Sequence, residues 1–403
     1  MSTLTYFLIA RGSLSLASTM LTVALGWHLY QISSDAMDLA YVGLMQIVPI
    51  YLFFFASGWA VDRFRRDQLV RWCSLAELIA YCGIAWIMTQ DELNRAALFS
   101  LVFLQGSAKA FYSPALQAIL PNIVPAKRLN QAVAMASTTW NAAMTAGPAL
   151  AGFLILFFDR QVYWSMGICV LIAALSYLAL PALKIDEPLQ RGREQLLAGL
   201  KFVWAKPILL GSLSLDLLAV GLGSVIVLLP IYATDILEIG PDELGILRAT
   251  PALGAVLMGI WMSRVKHEIR FAGRKLFITL VVFSLSIGVF ALSQSYWLSL
   301  IALFVYGASD MISVNIRMTL VQLATPDALR GRVSAVNSLF IATSNEAGDF
   351  RGGATAAAIG PVATATAGAG LALAVTLWGW RKFPTLFQLD KMESVATSST
   401  DGR

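Results

Sequence analysis

Charge is what this sequence has little of. Acidic and basic residues make up 13% of its 403 positions, against roughly 25% in an ordinary soluble protein. A chain of this length could bury a large core in water, but it would still need a polar surface, and the residues for one are missing. Histidine occurs twice, at His28 and His267, and cysteine three times, at Cys73, Cys82 and Cys169. No spacing among these five resembles a metal site or a nucleophile beside its base. Packing is therefore their expected role, and neither a metal nor another cofactor is expected. The chain also lacks a glycine-rich phosphate loop of the form G-x-x-x-x-G-K-[ST], which argues against nucleotide use. Enzyme chemistry finds no support. The net charge of +5 does not gather on one basic face of a soluble domain, so no nucleic-acid partner is expected.

What is present instead is hydrocarbon. Hydrophobic residues form 58% of the chain, in runs of about 20, the length that crosses ~30 Å of bilayer core. Twelve such runs fall at 5–31, 40–61, 69–90, 96–119, 131–158, 162–183, 207–234, 243–263, 275–293, 296–321, 333–358 and 360–380. They are far too long for the ~10-residue strands of a membrane barrel, so they predict helices. The first run has no cleavable-signal pattern. Of the 29 Lys and Arg, five fall well inside runs, beyond the first three residues of each (Arg11, Lys109, Arg248, Arg317, Arg351). With the N-terminus in the cytoplasm, only Arg95 and Arg160 lie outside, and the remainder collect on the cytoplasmic side. That bias predicts both termini in the cytoplasm and makes the net charge a topology signal.

The second half of the chain repeats the first. "GLMQIVP" (43–49) matches "GILRATP" (245–251), with Gly43 over Gly245 and Pro49 over Pro251. Gly106 pairs with Gly307, Pro125 with Pro326, Ser137 with Ser338, Gly147 with Gly348 and Gly152 with Gly353, all at a shift of 201 or 202. The expected organisation is an all-α membrane protein. Its parts are a six-helix bundle over 1–183, a polar linker over 184–206, a second six-helix bundle over 207–382 and a polar, disordered tail over 383–403. Parallel duplicated bundles of this kind place a substrate path between the halves and alternate its access.

The loop after the second run carries a resemblance. "GWAVDRFRRDQLV" (58–70) is similar to the signature G-x-x-x-D-R-x-G-R-[KR] of the major facilitator superfamily. Gly58, Asp62, Arg63 and Arg66 match, while Arg65 stands for the usual glycine and Asp67 for the usual basic residue. The resemblance implies a conformational latch, with Asp62 facing a positive helix end and a basic partner. "GWHLYQISSD" (26–35), "SPALQAILPNIVP" (113–125), "TPDALRGRVSAVNSLF" (325–340) and "SNEAGDFRGG" (344–353) resemble the bacterial branch grouped with the enterobactin (siderophore) exporter. "GPALAG" (147–152) is similar to the G-P-x-x-G-G motif of proton-coupled antiporters through Gly147, Pro148 and Gly152, with Ala151 in place of a glycine. Met144 occupies a position where this branch often has arginine, so no role carries over there. Gly147-Pro148 also reads simply as a helix kink.

In that superfamily helices 1, 4, 7 and 10 line the central cavity, and here each bears a charge: Arg11, Lys109, Asp216 and Asp310. The first half supplies the cations and the second half the anions. Lys109 and Asp310 are related by the repeat offset itself, and Arg317 follows Asp310 on the same helix face. Two readings stay open. The charges form static buried salt bridges, or they form a gate that closes when first-half cations meet second-half anions and parts across a wet cavity.

Span 11 carries Glu346, Asp349 and Arg351 among glycines. Two carboxylates one turn apart in a low-dielectric setting are candidates for proton coupling, because burial and a like charge both favour the protonated form. An interhelical network with Arg351 is the competing reading. Trp27, His28 and Tyr30, near the outer end of span 1, read as interfacial anchors. Phe111 and Tyr112 suit either a cavity wall or helix packing, and the partners of Glu77 and Arg248 are not evident. The resemblance thus implies a monomeric secondary transporter in the cytoplasmic membrane, using protons to export a small amphipathic or anionic compound, siderophore or drug-like. An importer on the same fold, a lipid flippase and a non-transporting sensor remain alternatives.

Overall fold

In a computed structural model that describes residues 3–125, 128–182, 193–264 and 271–390, the chain is helical almost throughout and shows no strand among those residues. In hydrocarbon every backbone group must be satisfied within its own segment, and a helix does this. The helices are α1 (Thr3–Ser33), α2 (Ala36–Leu52), α3 (Phe54–Arg63), α4 (Arg66–Met88), α5 (Arg95–Ile123), α6 (Leu129–Phe158), α7 (Val162–Leu178) and α8 (Arg193–Ala205). They continue as α9 (Pro207–Gly223), α10 (Leu229–Ile231), α11 (Pro241–Arg264), α12 (Ala272–Leu292), α13 (Tyr296–Ala324), α14 (Asp327–Ile359), α15 (Pro361–Lys382) and α16 (Pro384–Phe387).

Among the described residues eight helical stretches are long and apolar enough to cross a bilayer, one of them, Gln131–Leu178, running through α6 and α7. The others expected to span are shorter or more polar. Span 2 is split at Phe53 into α2 and α3, one turn after Pro49, whose ring removes a helix hydrogen bond. Spans 4 and 11, as α5 and α14, are 29 and 33 residues long but carry charges. The exterior is apolar: Trp297 is 73% exposed and Trp72 71%, as suits contact with lipid.

Local signals set the helix ends. Asp35 Oδ1 accepts the amide of Met37 at 2.8 Å to cap α2, and Asn94 Oδ1 accepts that of Ala97 at 3.0 Å to cap α5. Gly360, at φ 85°, ends α14, and Pro361 opens α15. Span 7 is the irregular one. After Gly223 it continues through 3-10 geometry at Ile226–Leu228, then α10, then a π-helical turn at Tyr232–Ile236.

The described residues form two compact units, Met1–Arg191 with Ala233–Ala249, and Gly192–Tyr232 with Thr250–Arg403. The chain therefore leaves the second unit inside the π-helical turn and returns to it along α11. Within the first unit α1 packs on α6 and α7, and α4 on α5 and α7. Within the second, α9 packs on α14 and α15, and α12 on α13 and α15. Those are the same pairings shifted by six spans, so the bundles are pseudo-symmetric.

Repeat-related glycines mark corresponding crossings. A Cβ on Gly106 would lie 3.0 Å from the carbonyl oxygen of Met45 in α2, and one on Gly307 would run into the backbone of Pro251 in α11. Gly147 presses on Thr19 of α1, and Gly348 on Ser224 and Gly221 at the end of α9. Lipid is as apolar as leucine, so helix association rests on such close packing and on buried polar bonds.

The second unit's core joins Leu213, Phe277, Leu280, Leu320, Val333 and Leu386. Leu386 belongs to α16, inside the stretch expected as a disordered tail. Residues 383–390 are instead folded, with the amides of Phe271 and Gly273 donating to the carbonyls of Asp390 and Leu389 at 2.7 and 3.0 Å. The apolar side chains of Leu386 and Phe387 give that stretch something to bury. Residues 391–403 of the expected tail and 184–192 of the linker lie outside the described residues. The linker's remainder begins as α8, which packs on α9 and α14.

Candidate functional site

The first unit gathers a polar cluster in its interior. Glu77, midway along α4, is fully buried, and neither carboxylate oxygen has a hydrogen-bond partner among the described residues. The charge acting on it is that of Lys109 of α5. Tyr81, one turn further along α4, has Ser18 and Gln105 beside its hydroxyl. Arg11 of α1 lies near Tyr112 of α5 and Tyr177 of α7, and its Nε finds no hydrogen bond among the described residues. The structure thus brings the two expected cations, Arg11 and Lys109, to one set of tyrosines with Glu77 among them. Tyr112 belongs to this set, whereas Phe111 stacks obliquely on Phe53, ring centroids 5.5 Å apart.

In the second unit the charges sort differently from the sequence pattern. Arg317 of α13 closes on Asp216 of α9, with both side chains almost wholly withdrawn from solvent. Asp310, on α13, is half-buried near Tyr306, and Asp349 also acts on that tyrosine. On α14 Asp349 accepts a hydrogen bond from Ser224 Oγ at 2.8 Å. Arg351 donates to the carbonyls of Gly221 and Ser224 at 3.1 and 3.4 Å. Those bonds tie α14 to the unwound end of α9, whose free carbonyls need donors. Glu346 is half-buried on the same helix.

The signature-like loop has its own arrangement. Gly58 lies on α3 with open space about it, and Arg63 is exposed, its guanidinium 5.5 Å from the Trp59 ring centre. Arg66 donates to Asn122 Oδ1 at 2.9 Å. The side chain of Asp62 lies outside the described residues. Among the described side chains of the loop the buried carboxylate is Asp67, one of the two residues that depart from the family pattern. It is fully covered, 2.9 Å from Arg65 Nη2 and 3.7 Å from Arg71 Nη2, in the first turn of α4. A carboxylate suits that positive helix end. Arg71 also donates to the carbonyls of Tyr177 and Leu180 at 3.3 and 2.6 Å, closing the end of α7.

Pro148 sits inside α6, with Gly147 against α1. Gly152 meets the backbone of Pro241 and Gly245 at the start of α11. Trp27, His28 and Tyr30 correct the expectation of interfacial anchors, because all three are buried in the first unit. His28 Nε2 is 3.0 Å from Asp159 Oδ1 and Nδ1 is 3.2 Å from Tyr163 Oη. Tyr30 donates to Asp235. α1 runs on to Ser33 and is covered there by α7 and by residues 233–249, so these rings face protein. Cys73 is buried, Cys82 and Cys169 partly so, and all three are free thiols. Among the described residues no group of His, Cys, Asp and Glu is placed to hold a metal ion.

In the sequence Glu77 stands out but its partners do not, and Asp67 reads only as a departure from the family pattern. A signal existed for each: an acid inside an apolar run, and an acid one residue past a helix start between arginines.

The sequence profile of the Major Facilitator Superfamily matches residues 7–345. The enterobactin exporter EntS of Escherichia coli is 29% identical over 317 residues, covering 77% of this chain and 74% of that protein. The EntS of Citrobacter koseri matches to the same extent. Among solved structures, a bacterial homologue of the iron transporter ferroportin in an inward-facing state superposes with a TM-score of 0.70 at 16% identity, over 96% of this chain and 99% of that one. A bacterial homologue of the human lysosomal transporter Spinster, inward-facing and unoccupied, gives 0.72 at 14% identity, over 98% and 97%. At such identities the structural likeness shows the fold alone.

Proposed function

The chain belongs to the major facilitator superfamily, and from that premise we propose that this transporter is a proton-coupled exporter of a small amphipathic or anionic compound of siderophore or drug-like kind. It works by alternating access in the cytoplasmic (inner) membrane, as a monomer with both termini in the cytoplasm. The observation that carries the export reading is the 29% identity to the enterobactin exporter over 77% of the chain. Half-buried Arg11 and Lys109 among tyrosines support an anionic or phenolic solute, since the cations attract negative charge and the tyrosine rings can stack on an aromatic one. Intramembrane acids support coupling, because an ionisable residue there is expensive and marks an ion or proton path.

The roles divide by environment. Asp216 and Arg317 neutralise one another and serve structure, which leaves Asp310 as the second unit's transport-dependent acid on its cavity helices. Asp349 and Arg351 hold α14 to α9, and Glu346, half-buried three residues before Asp349 on the same helix, is the acid to which we assign coupling. Gly58, Asp62, Arg63 and Arg66 form the latch loop, joined by Asp67. Gly147, Pro148 and Gly152 shape α6 for close contact.

Proteoliposomes containing the full chain, loaded with members of a panel that includes catecholate siderophores, test this reading under an imposed pH gradient. Gradient-stimulated efflux of at least one compound is expected. Efflux that ignores the gradient for every member defeats coupling. A deletion strain that loses growth on a sole nutrient, and shows no sensitivity to exported compounds, points to import instead.

A further inference from the structure

Glu77 has no task in the reading above. It lies twelve residues into the 23-residue α4, fully buried, with no donor to either carboxylate oxygen among the described residues. An ionised carboxylate taken out of water without donors is strongly unfavourable, so such a group persists in one of two ways. It holds a proton, or a cation comes to it.

The cation is at hand. Lys109 of α5 is the charge that acts on Glu77, and its side chain keeps part of its surface open. The other titratable groups facing Glu77 are thiols and phenols: Cys73 and Tyr81 on α4, Tyr112 on α5 and Tyr177 on α7. Arg11 of α1 stands beyond them, against Tyr112 and Tyr177. Charges elsewhere along α4 are engaged or distant. Asp67 and Arg71 are bound to one another near its start. Arg63 of α3 is exposed, and Arg160 reaches the carbonyl of Gln90 beyond the far end of the helix.

We propose that Glu77 is a proton-binding site with Lys109 as its counter-charge, so that one proton moving onto or off the carboxylate switches Lys109 between released and engaged states. The step is a single O–H bond made or broken on Glu77, the proton being exchanged with water. The cationic charge that the cluster can offer to a solute then follows the protonation of Glu77. This rests on the proton-coupled reading and gives it a site in the first unit, apart from α14.

Infrared difference spectra of the purified full chain, titrated over the whole pH range in which it stays folded, test the site without any substrate. A carboxyl carbonyl band that comes and goes with pH is expected in the wild type, absent in Glu77→Gln and moved in midpoint in Lys109→Met. Glu77→Asp is expected to restore a titrating band. A titrating spectrum identical in wild type and Glu77→Gln overturns the proposal, and so does a wild type with no titrating band. Glu77→Gln is isosteric; where it does not yield folded protein, an unmoved midpoint in Lys109→Met overturns the proposal by itself.

Proteoliposomes with enterobactin as the probe separate the two levels of the argument. A gradient response in the wild type that is lost in Glu77→Gln, with enterobactin exchange retained, supports the site. An equal response in both overturns the site alone, whereas a wild type that exchanges enterobactin but ignores the gradient overturns the coupled reading, and this proposal with it.

Discussion

Gly152 of α6 and Gly245 of α11 meet backbone against backbone: a Cβ added to Gly152 would lie 2.9 Å from the Gly245 Cα, and one added to Gly245 3.0 Å from the Gly152 Cα. The contact holds residues 233–249 in the first unit, and Tyr30, donating to Asp235, holds the same segment a few residues earlier. Gly152→Val is expected to force the helices apart and cost about 1–3 kcal/mol, as overpacking does. Tyr30→Phe removes a hydrogen bond to a carboxylate and is expected to cost about 1.5–3 kcal/mol. Thermal unfolding of the purified protein measures both. A Gly152→Val protein as stable as the wild type would show that the close approach is not required.

Asp216 and Arg317 are a buried pair, and removing one partner strands the other. Asp216→Ala and Arg317→Ala are each expected to lose about 3–5 kcal/mol, while Asp216→Leu with Arg317→Met is expected to recover most of that loss, because no charge is then left buried. The comparison to make is folded yield and melting temperature across the three variants. If the double variant is as unstable as the singles, the pair contributes something beyond mutual neutralisation.

The spans and the repetition of one half by the other are legible in the sequence because each needs only a run of apolar residues and an offset. The repeat-related glycines are legible for a further reason: a close helix crossing admits no side chain, so Gly106 and Gly307 are fixed by the same geometry. Partners of charges are not legible. That Arg317 closes on Asp216 depends on the rotation of α13 against α9, which no spacing encodes. Glu77 is visible as an acid in an apolar run, yet its lack of donors depends on what α5 and α7 turn toward it. Trp27, His28 and Tyr30 show the converse error. Aromatics near the end of a span read as an interfacial belt until the covering elements are known, and here α7 and residues 233–249 cover them. The folded stretch 383–390 was hidden because four helical residues leave no periodic signal, though Leu386 is fully buried.

Glu346 and Asp349, the two acids in the apolar part of α14, are expected to behave differently. Asp349 is anchored by Ser224, beside an arginine that closes the end of α9. Asp349→Ala is therefore expected to lower stability by about 1–3 kcal/mol, the usual result of leaving buried polar partners unmatched, and Ser224→Ala by less. Glu346→Gln is expected to leave stability near wild type and to alter the pH dependence of transport. Melting curves and gradient-driven efflux, measured on the same preparations, check the division. A stable Asp349→Ala protein, together with unaltered pH dependence in Glu346→Gln, would remove it.

Asp310 is the charge on α9 and α13 that the Asp216–Arg317 pair leaves over. It is half-buried on α13 near Tyr306. Asn has nearly the same size and keeps one acceptor, so Asp310→Asn removes the charge with little change in packing. The expected outcome is normal expression, a melting temperature close to wild type and transport lowered to background. Asp310→Glu, which keeps the charge on a longer stem, is expected to retain part of the rate. If the acid were only structural, Asp310→Asn would unfold or aggregate and Asp310→Glu would overpack. If it were idle, both would transport at the wild-type rate. Side-by-side efflux assays on wild type and the two variants, normalised to folded protein, distinguish these outcomes, and full activity in Asp310→Asn would remove this residue from any part in the transport cycle.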